Sequence, residues 1–261
     1  MEADGLQAAR KIWEQRILVV TPTYNERDNL PEFVSRVWQA VPGAHILVVD
    51  DNSPDGTGEL ADQLAEHHPD RLFVLHRGRK AGLGRAYVAG FQWALREGYD
   101  AIVQLDADLS HDPAEIPLLL SGLANAWLVL GSRYFNGVRV LNWDFKRLLL
   151  SWSASLYVRI FTGMPFTDST GGFKCWRREA LLAIDLDNLF ANGYIFQVET
   201  TFELWHRGFE IREAPIVFTE RQIGESKMDF AIIREAAFGV LRIAARRLRR
   251  PPQARSTWRS P

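Results

Sequence analysis

The sequence predicts an α/β fold in which a mostly parallel central sheet is covered by helices on both faces. Three observations lead there. Short apolar runs rich in β-branched residues alternate with longer stretches whose apolar residues recur at helical spacing. The first of these runs, ILVVT (17–21), reads as a buried strand. Gly, Pro and Asp mark most boundaries between the two kinds of segment.

Ile17 to Thr21 (ILVVT) reads as the first strand. Asp28 to Ala40 follows as a helix, with Leu30, Phe33, Val34, Val37 and Trp38 on its apolar stripe. His45–Asp51 and Arg71–Arg77 read as strands, separated by a helix over Gly58–His67. Leu83–Arg96 is the next helix, and Asp100–Asp108 (DAIVQLDAD) the fourth strand. Pro113–Ala124 is a helix that starts with proline in its first turn, and Trp127–Gly131 is a fifth strand.

The second half is less regular. Trp143–Thr162 mixes aromatic residues with Lys146, Arg147 and Arg159. Thr167–Leu181 reads as a turn, a short strand and a helix start, and 190–209 as a helix. A strand lies within 210–221, and GESK (224–227) is a loop before a last helix from Asp229 to about Arg250. Pro251 and Pro252 stop that helix.

Among 261 residues, 47% hydrophobic and 24% charged is ordinary globular usage. It excludes a disordered chain, a collagen-like chain and a disulfide scaffold. A lone Cys175 argues for a reducing compartment. No apolar run reaches the roughly 20 residues that span a bilayer, and Met1–Arg16 lacks the apolar core of a signal peptide. The net charge of −1 is unevenly spread. Residues 242–261 hold seven arginines and no acid, which leaves −8 on residues 1–241. A basic tail suits an anionic surface, either membrane lipid or nucleic acid. With no nucleic-acid-binding motif beside it, the membrane is the expected partner.

In parallel α/β sheets, ligands sit at the carboxyl ends of the strands. Four expected strand ends carry polar clusters: TPTYNE (21–26), DDNSPDGTGE (50–59), DADLSHDP (106–113) and GSRY (131–134). Asp106 and Asp108 would project to one side of an extended chain, and their mutual repulsion favours either a bound cation such as Mg²⁺ or Mn²⁺ or a raised pKa on one of them. The glycines of GRKAGLGRAYVAG (78–90) fit neither a dinucleotide fingerprint nor a P-loop. Lys80 and Arg85 remain within reach of a phosphate or an acceptor.

TPTYNERDNLP, VVDDNSPDGTGE, KAGLGRAY, LDADLSHDP, GSRY, NWDFKR, GYIFQVE and GESK occur in this order. Together they resemble the dolichol-phosphate (polyprenol-phosphate) mannose synthases, inverting family 2 glycosyltransferases, from about Ile17 to about Lys227. The resemblance implies a GT-A fold, a GDP-mannose donor, Mg²⁺ or Mn²⁺, and a polyprenyl-phosphate acceptor at the cytoplasmic face of a membrane. The chain is expected to divide into an N-terminal extension (1–16), a catalytic domain (17–228), a basic amphipathic helix (229–250) and a disordered tail (251–261).

Site roles follow where residues match the family. Pro22, Tyr24, Glu26, Val49 and Asp51 would hold the nucleotide, and Asp106, Ala107 and Asp108 the metal–diphosphate unit. Arg221 and Lys227 would lie near the donor phosphates. Arg133, Arg147 and Ser151 would grip the acceptor phosphate. Some relatives have a glutamine metal ligand where this chain has Ser110. Asp108, Arg133 and Arg147 are the expected catalytic residues.

Arg147 and Ser151 are four apart, so they share a face if the segment is helical, and a guanidinium fork suits phosphate oxygens. Leu148, Leu149, Trp152, Leu156 and Phe161 suit the lipid headgroup region. The final helix has an apolar arc (Phe230, Ile233, Ala237, Val240, Leu241, Ala244, Leu248), with Arg234, Arg242, Arg246, Arg249 and Arg250 mostly opposite. That pattern suits docking on an anionic bilayer, although Phe238 falls among the arginines and Ile232 and Ile243 leave the arc, which would also fit a helix packed against the protein body with its arginines in solvent. A phosphate acceptor is already anionic and needs no general base, and no Q-x-x-R-W string of processive enzymes occurs. Two alternatives remain: another donor such as UDP-glucose, and a non-catalytic nucleotide-sugar-binding subunit. A separate membrane subunit is a possible partner.

Overall fold

A computed structural model of the chain describes residues 14–191, 193–220 and 230–249. The first half runs β1 (Ile17–Thr23), α1 (Leu30–Ala40), β2 (His45–Asp50), α2 (Thr57–His67), β3 (Leu72–His76), α3 (Leu83–Arg96), β4 (Ala101–Gln104), α4 (Ile116–Gly122) and β5 (Leu128–Ser132). The second half runs β6 (Val140–Leu141), α5 (Phe145–Thr162), β7 (Lys174–Arg177), α6 (Arg178–Leu182), α7 (Ile195–His206), β8 (Ile211–Pro215), β9 (Phe218–Thr219) and α8 (Phe230–Arg249).

Among the described residues, seven strands form one sheet in the order β3-β2-β1-β4-β7-β5-β8. All neighbours are parallel except β7, which runs antiparallel to both β4 and β5, with Cys175 between Val103 and Val129. β6 and β9 pair separately. Side chains alternate across the sheet. Leu18, Val20, Leu47, Val49 and Ile102 pack under α3, α6 and α7, whereas Val19, Ile46, Val48 and Val103 pack under α1, α2 and α4. Both faces are therefore buried, which is why the runs ILVV of β1 and ILVV of β2 are apolar at successive positions.

Gly90 lets α3 lie directly on β1, since a Cβ there would be 2.4 Å from Val20 Cγ1. Gly84 does the same where α3 meets α7, with Phe196 Cβ 2.8 Å away. The glycines of 78–90 thus serve close packing as well as the turn at Gly82 (φ 98°).

Two expectations change. The fourth strand ends at Gln104 instead of Asp108, so both aspartates lie in the loop beyond it. That loop turns through Leu109 at φ 58° and does not stay extended. The mixed segment 143–162 contains an 18-residue helix, α5. Asp144 caps it by accepting from the Arg147 amide at 2.8 Å, and Gly163 ends it at φ 73°.

α5 is built inside out. Its buried stripe is Ser155, Val158 and Thr162, while Phe145 (75%), Ile160 (65%), Leu149, Trp152 and Phe161 are exposed. α8 packs on α5 and α7 through Val240 and Ile243, both buried. The expected apolar arc is thus shifted: Ile243 is inside and Leu241 is exposed. Arg246 is not on a free face either. It pairs with Glu199 at 2.9 Å and Glu203 at 3.0 Å on α7. No described helix is long and apolar enough to cross a membrane. The terminal segments 1–13 and 250–261 and the GESK loop lie outside the described residues.

Candidate active site

A cleft of about 310 Å³ opens at the carboxyl ends of β1, β2 and β4. Of the expected donor-side residues, Pro22, Tyr24, Glu26, Asp51, Asp106, Ala107 and Asp108 all line it, joined by Lys80. Val49 does not. Its side chain is buried in the core beneath α3, so only its backbone is left to meet a ligand. Arg85 is not part of the lining, and Arg221 and Lys227 lie outside the described residues.

The strand ends turn through asparagines in the left-handed region, Asn25 (φ 60°) and Asn52 (φ 59°), a conformation asparagine tolerates better than most residues. Lys80 Nζ sits 3.8 Å from the centre of the Tyr24 ring. Asp51 accepts from Arg77 Nη1 at 2.5 Å and from the Ala81 amide at 3.2 Å. Burial raises its pKa in spite of those contacts.

Asp106 accepts a 2.5 Å hydrogen bond from the Tyr87 hydroxyl. Burial, and then the Asp106 charge, push that phenol well above its usual range, so Tyr87 stays a donor. Asp108 is buried and accepts from the Ser110 amide at 3.0 Å. The buried Ser110 Oγ has no hydrogen-bond partner among the described residues. Nor do those residues include a group of three or more His, Cys, Asp or Glu able to hold a metal. Two carboxylates with an adjoining hydroxyl are hard oxygen donors, which fit Mg²⁺ or Mn²⁺ with its other positions given to water and substrate oxygens.

The expected acceptor residues gather in a second group. Arg147 pairs with Glu220, and its guanidinium lies 4.5 Å from the Trp143 ring centre, with that of Arg133 5.7 Å from the same ring. Ser151 accepts from the Tyr134 hydroxyl at 2.8 Å. Arg133 is more deeply held than a surface phosphate grip. Asp168 takes its Nε (2.6 Å) and Nη2 (2.8 Å), and Thr170 takes Nη2 again (2.9 Å). Burial alone would raise the Asp168 carboxyl, but the Arg133 charge and hydrogen bonds hold it below the usual range. Glu213 on β8 fixes the turn that carries Asp168, accepting from the amides of Thr167 (2.9 Å) and Asp168 (3.0 Å).

Below the cleft, Lys174 donates to the Gln197 carbonyl (2.6 Å) and Thr201 Oγ1 (2.9 Å), and burial brings its ammonium down to about 7. Glu115 accepts from the Val217 amide at 2.8 Å, and burial pushes its carboxyl up to about 7.

Sequence reasoning missed Tyr87, Asp168, Trp143, Glu220 and Gln197. Gln197 left a signal in GYIFQVE, and so did Gln104, a polar residue inside the buried run AIVQ.

Residues 18–185 match the family described as Glycosyl transferase family 2. The chain is 53% identical over 227 residues to the polyprenol monophosphomannose synthase of Mycolicibacterium smegmatis, spanning 87% of this chain and 86% of that protein. It is 48% identical over 233 residues to the undecaprenyl-phosphate mannosyltransferase of Micrococcus luteus, spanning 88% and 96%. Among solved structures, glucosyl-3-phosphoglycerate synthase of Mycobacterium tuberculosis shares the fold at TM-score 0.65 and 19% identity, over 92% of this chain and 84% of that one. The same enzyme in complex with Mn²⁺, UDP and phosphoglyceric acid gives 0.66 and 18%, over 93% and 81%. By sequence and by fold, this chain belongs to glycosyl transferase family 2.

Proposed function

We propose that this glycosyltransferase moves mannose from GDP-mannose to a polyprenyl monophosphate, with inversion. The observation that carries the reading is the pairing of two sites: an acid-lined cleft at Asp106 and Asp108, and a separate arginine group at Arg133 and Arg147. Relatives named as a polyprenol monophosphomannose synthase and an undecaprenyl-phosphate mannosyltransferase, about half identical over 87–88% of the chain, support mannose and a polyprenyl phosphate as its substrates.

Tyr24, Glu26 and Asp51 bind the nucleotide side of the donor, and Asp106 and Asp108 face its diphosphate. These two aspartates would hold a Mg²⁺ or Mn²⁺ ion, which would supply charge stabilisation to the leaving diphosphate. Arg221 and Lys227 add positive charge to the same group. Arg147 and Ser151 hold the acceptor phosphate, and Arg133 keeps Nη1, the nitrogen that neither Asp168 nor Thr170 takes, for the same anion. These arginines offset the repulsion between two anionic substrates and aim an acceptor oxygen at the anomeric carbon. The new C–O bond forms as the bond to the diphosphate breaks, so an α donor gives a β-mannosyl phospholipid and free GDP. A phosphate acceptor is ionised near neutrality, with a second pKa of about 6, so no side chain need take a proton.

The apolar outer face of α5 adjoins Arg147 and Ser151 along the same helix. It lies in the headgroup layer on the cytoplasmic side, with the basic residues of α8 nearby, and guides the isoprenoid tail.

Transfer of radiolabelled sugar to polyprenyl phosphate, compared across GDP-mannose, UDP-glucose and other nucleotide sugars, tests the reading. GDP-mannose should be preferred, and excess chelator should abolish transfer until Mg²⁺ or Mn²⁺ is restored. Preference for another donor, or full activity in chelator, would overturn the corresponding part.

A further inference from the structure

Gln197, the third residue of α7, is 1% exposed, and its Nε2 has no hydrogen-bond partner among the described residues. The orientation of this amide is forced. Trp176 Nε1, which can only donate, reaches Gln104 Oε1 at 3.2 Å. That fixes Gln104 Nε2 as the group donating to Gln197 Oε1 at 2.6 Å. Gln197 Nε2 is then turned away from this relay as an unspent donor. The backbone beneath is fixed as well, because Lys174 and Thr201 both donate to the Gln197 carbonyl.

The direction Nε2 faces is marked by Gly172. A Cβ at Gly172 would sit 3.6 Å from Gln197 Nε2 and 3.3 Å from Asp106 Oδ2. The missing side chain leaves a cradle with a donor on one wall and a carboxylate oxygen on the other. Tyr87 holds that carboxylate through Oδ1, which turns Oδ2 toward Gly172.

We propose that the cradle over Gly172 is a hydroxyl subsite for the hexose being transferred, with Gln197 as a specificity-determining residue. A hydroxyl fits both walls at once, donating to Asp106 and accepting from Gln197. A phosphate oxygen, able only to accept, would face the Asp106 carboxylate without a proton to share. The nucleotide-side residues Tyr24, Glu26 and Asp51 lie on other strand ends of the cleft that Asp106 lines, and the cradle adjoins that cleft through Asp106. The neutral amide also reads the sugar without adding a charge near two anionic substrates.

This subsite rests on the glycosyl-transfer reading, and the test separates the two. The wild-type enzyme is assayed with its preferred nucleotide sugar and with that donor's monodeoxy analogues, alongside Gln197→Met and Gly172→Ala. In the wild type, one deoxy analogue should lose about 10- to 100-fold in kcat/KM, the scale of a hydrogen bond shared with a charged group. In either variant the parent donor should fall to that level, the same deoxygenation should cost no further loss, and affinity for free GDP should be unchanged. Gly172 has no left-handed φ, and an alanine Cβ there asks Asp106 Oδ2, 3.3 Å away, to give by a few tenths of an ångström, so Gly172→Ala decides the matter if Gln197→Met fails to fold. An undiminished deoxy penalty in Gly172→Ala, or a wild type indifferent to every deoxygenation, overturns the subsite alone. No wild-type transfer from any nucleotide sugar overturns the donor reading and the subsite with it.

Discussion

Asp168 meets Arg133 through two parallel hydrogen bonds, Nε to Oδ2 at 2.6 Å and Nη2 to Oδ1 at 2.8 Å, with both residues buried. Removing one member strands the other charge away from water, a loss of about 3–5 kcal/mol, whereas replacing both with apolar groups is often near neutral. Asp168→Ala should therefore lower the urea midpoint sharply, and Arg133→Met/Asp168→Leu should recover much of it. The double variant should still bind GDP but use polyprenyl phosphate poorly. Equal stability of Asp168→Ala and wild type would contradict a buried pair.

Arg147 makes the contrasting case. Its pair with Glu220 is about a third exposed on the arginine side and more on the other, and such pairs add little stability. Arg147→Ala should leave the melting temperature almost unchanged. The acceptor KM should rise on the order of 10- to 100-fold with the loss of a charged contact, while GDP binding stays near normal. A matching loss of GDP affinity would move Arg147 to the donor side.

Glu115 predicts a pH dependence of stability. Burial raises its carboxyl from 4.5 to about 7 in the folded chain, so the folded state holds more protons across that interval. The stability contributed by protonated Glu115 is complete below about 4.5 and is lost as pH rises through about 7. Glu115→Gln keeps an oxygen for the Val217 amide and cannot ionise. Relative to wild type, it should gain stability between pH about 4.5 and about 7 and hold a constant difference above. A difference that does not vary with pH in urea titrations would rule out this ionisation.

The outer face of α5 can be tested without touching the cleft. Phe145→Asp combined with Ile160→Asp replaces two of its most exposed apolar side chains. Sedimentation with anionic liposomes should fall severalfold, while GDP binding and thermal stability stay near wild type. Undiminished sedimentation would remove α5 from the docking surface.

The first half of the fold was legible because strands buried on both faces are apolar throughout and each helix carries its own stripe. β7 was not, since nothing in KCWR tells parallel from antiparallel. α5 was hidden by its inverted pattern: helical periodicity is read from an apolar stripe facing a core, and here the buried stripe is Ser155, Val158 and Thr162. Within the site, motif residues on strand ends could be named from the chain, and seven of them share the cleft. Tyr87, Asp168 and Gln197 act through contacts 19, 35 and 93 residues away in sequence. No local pattern records partners so distant. In the final helix, the pairing of Arg246 was illegible for the same reason, because its partners, Glu199 and Glu203, lie on another helix.

The strand order also dictates when the protein can be assembled during its synthesis. β5 has β7 and β8 as its sheet neighbours, and both emerge from the ribosome after it. A nascent chain that has reached Ser132 can pair β1 with β2 and β4, and β2 with β3, but β5 has no strand to join. Only when Lys174–Arg177 appears does one short strand bridge β4 to β5, and β8 follows later still. Until then β4 and β5 present open edges, the kind of surface on which two unfinished chains pair with each other. Ribosomes stalled between β5 and β7 should therefore be where this protein depends most on chaperones.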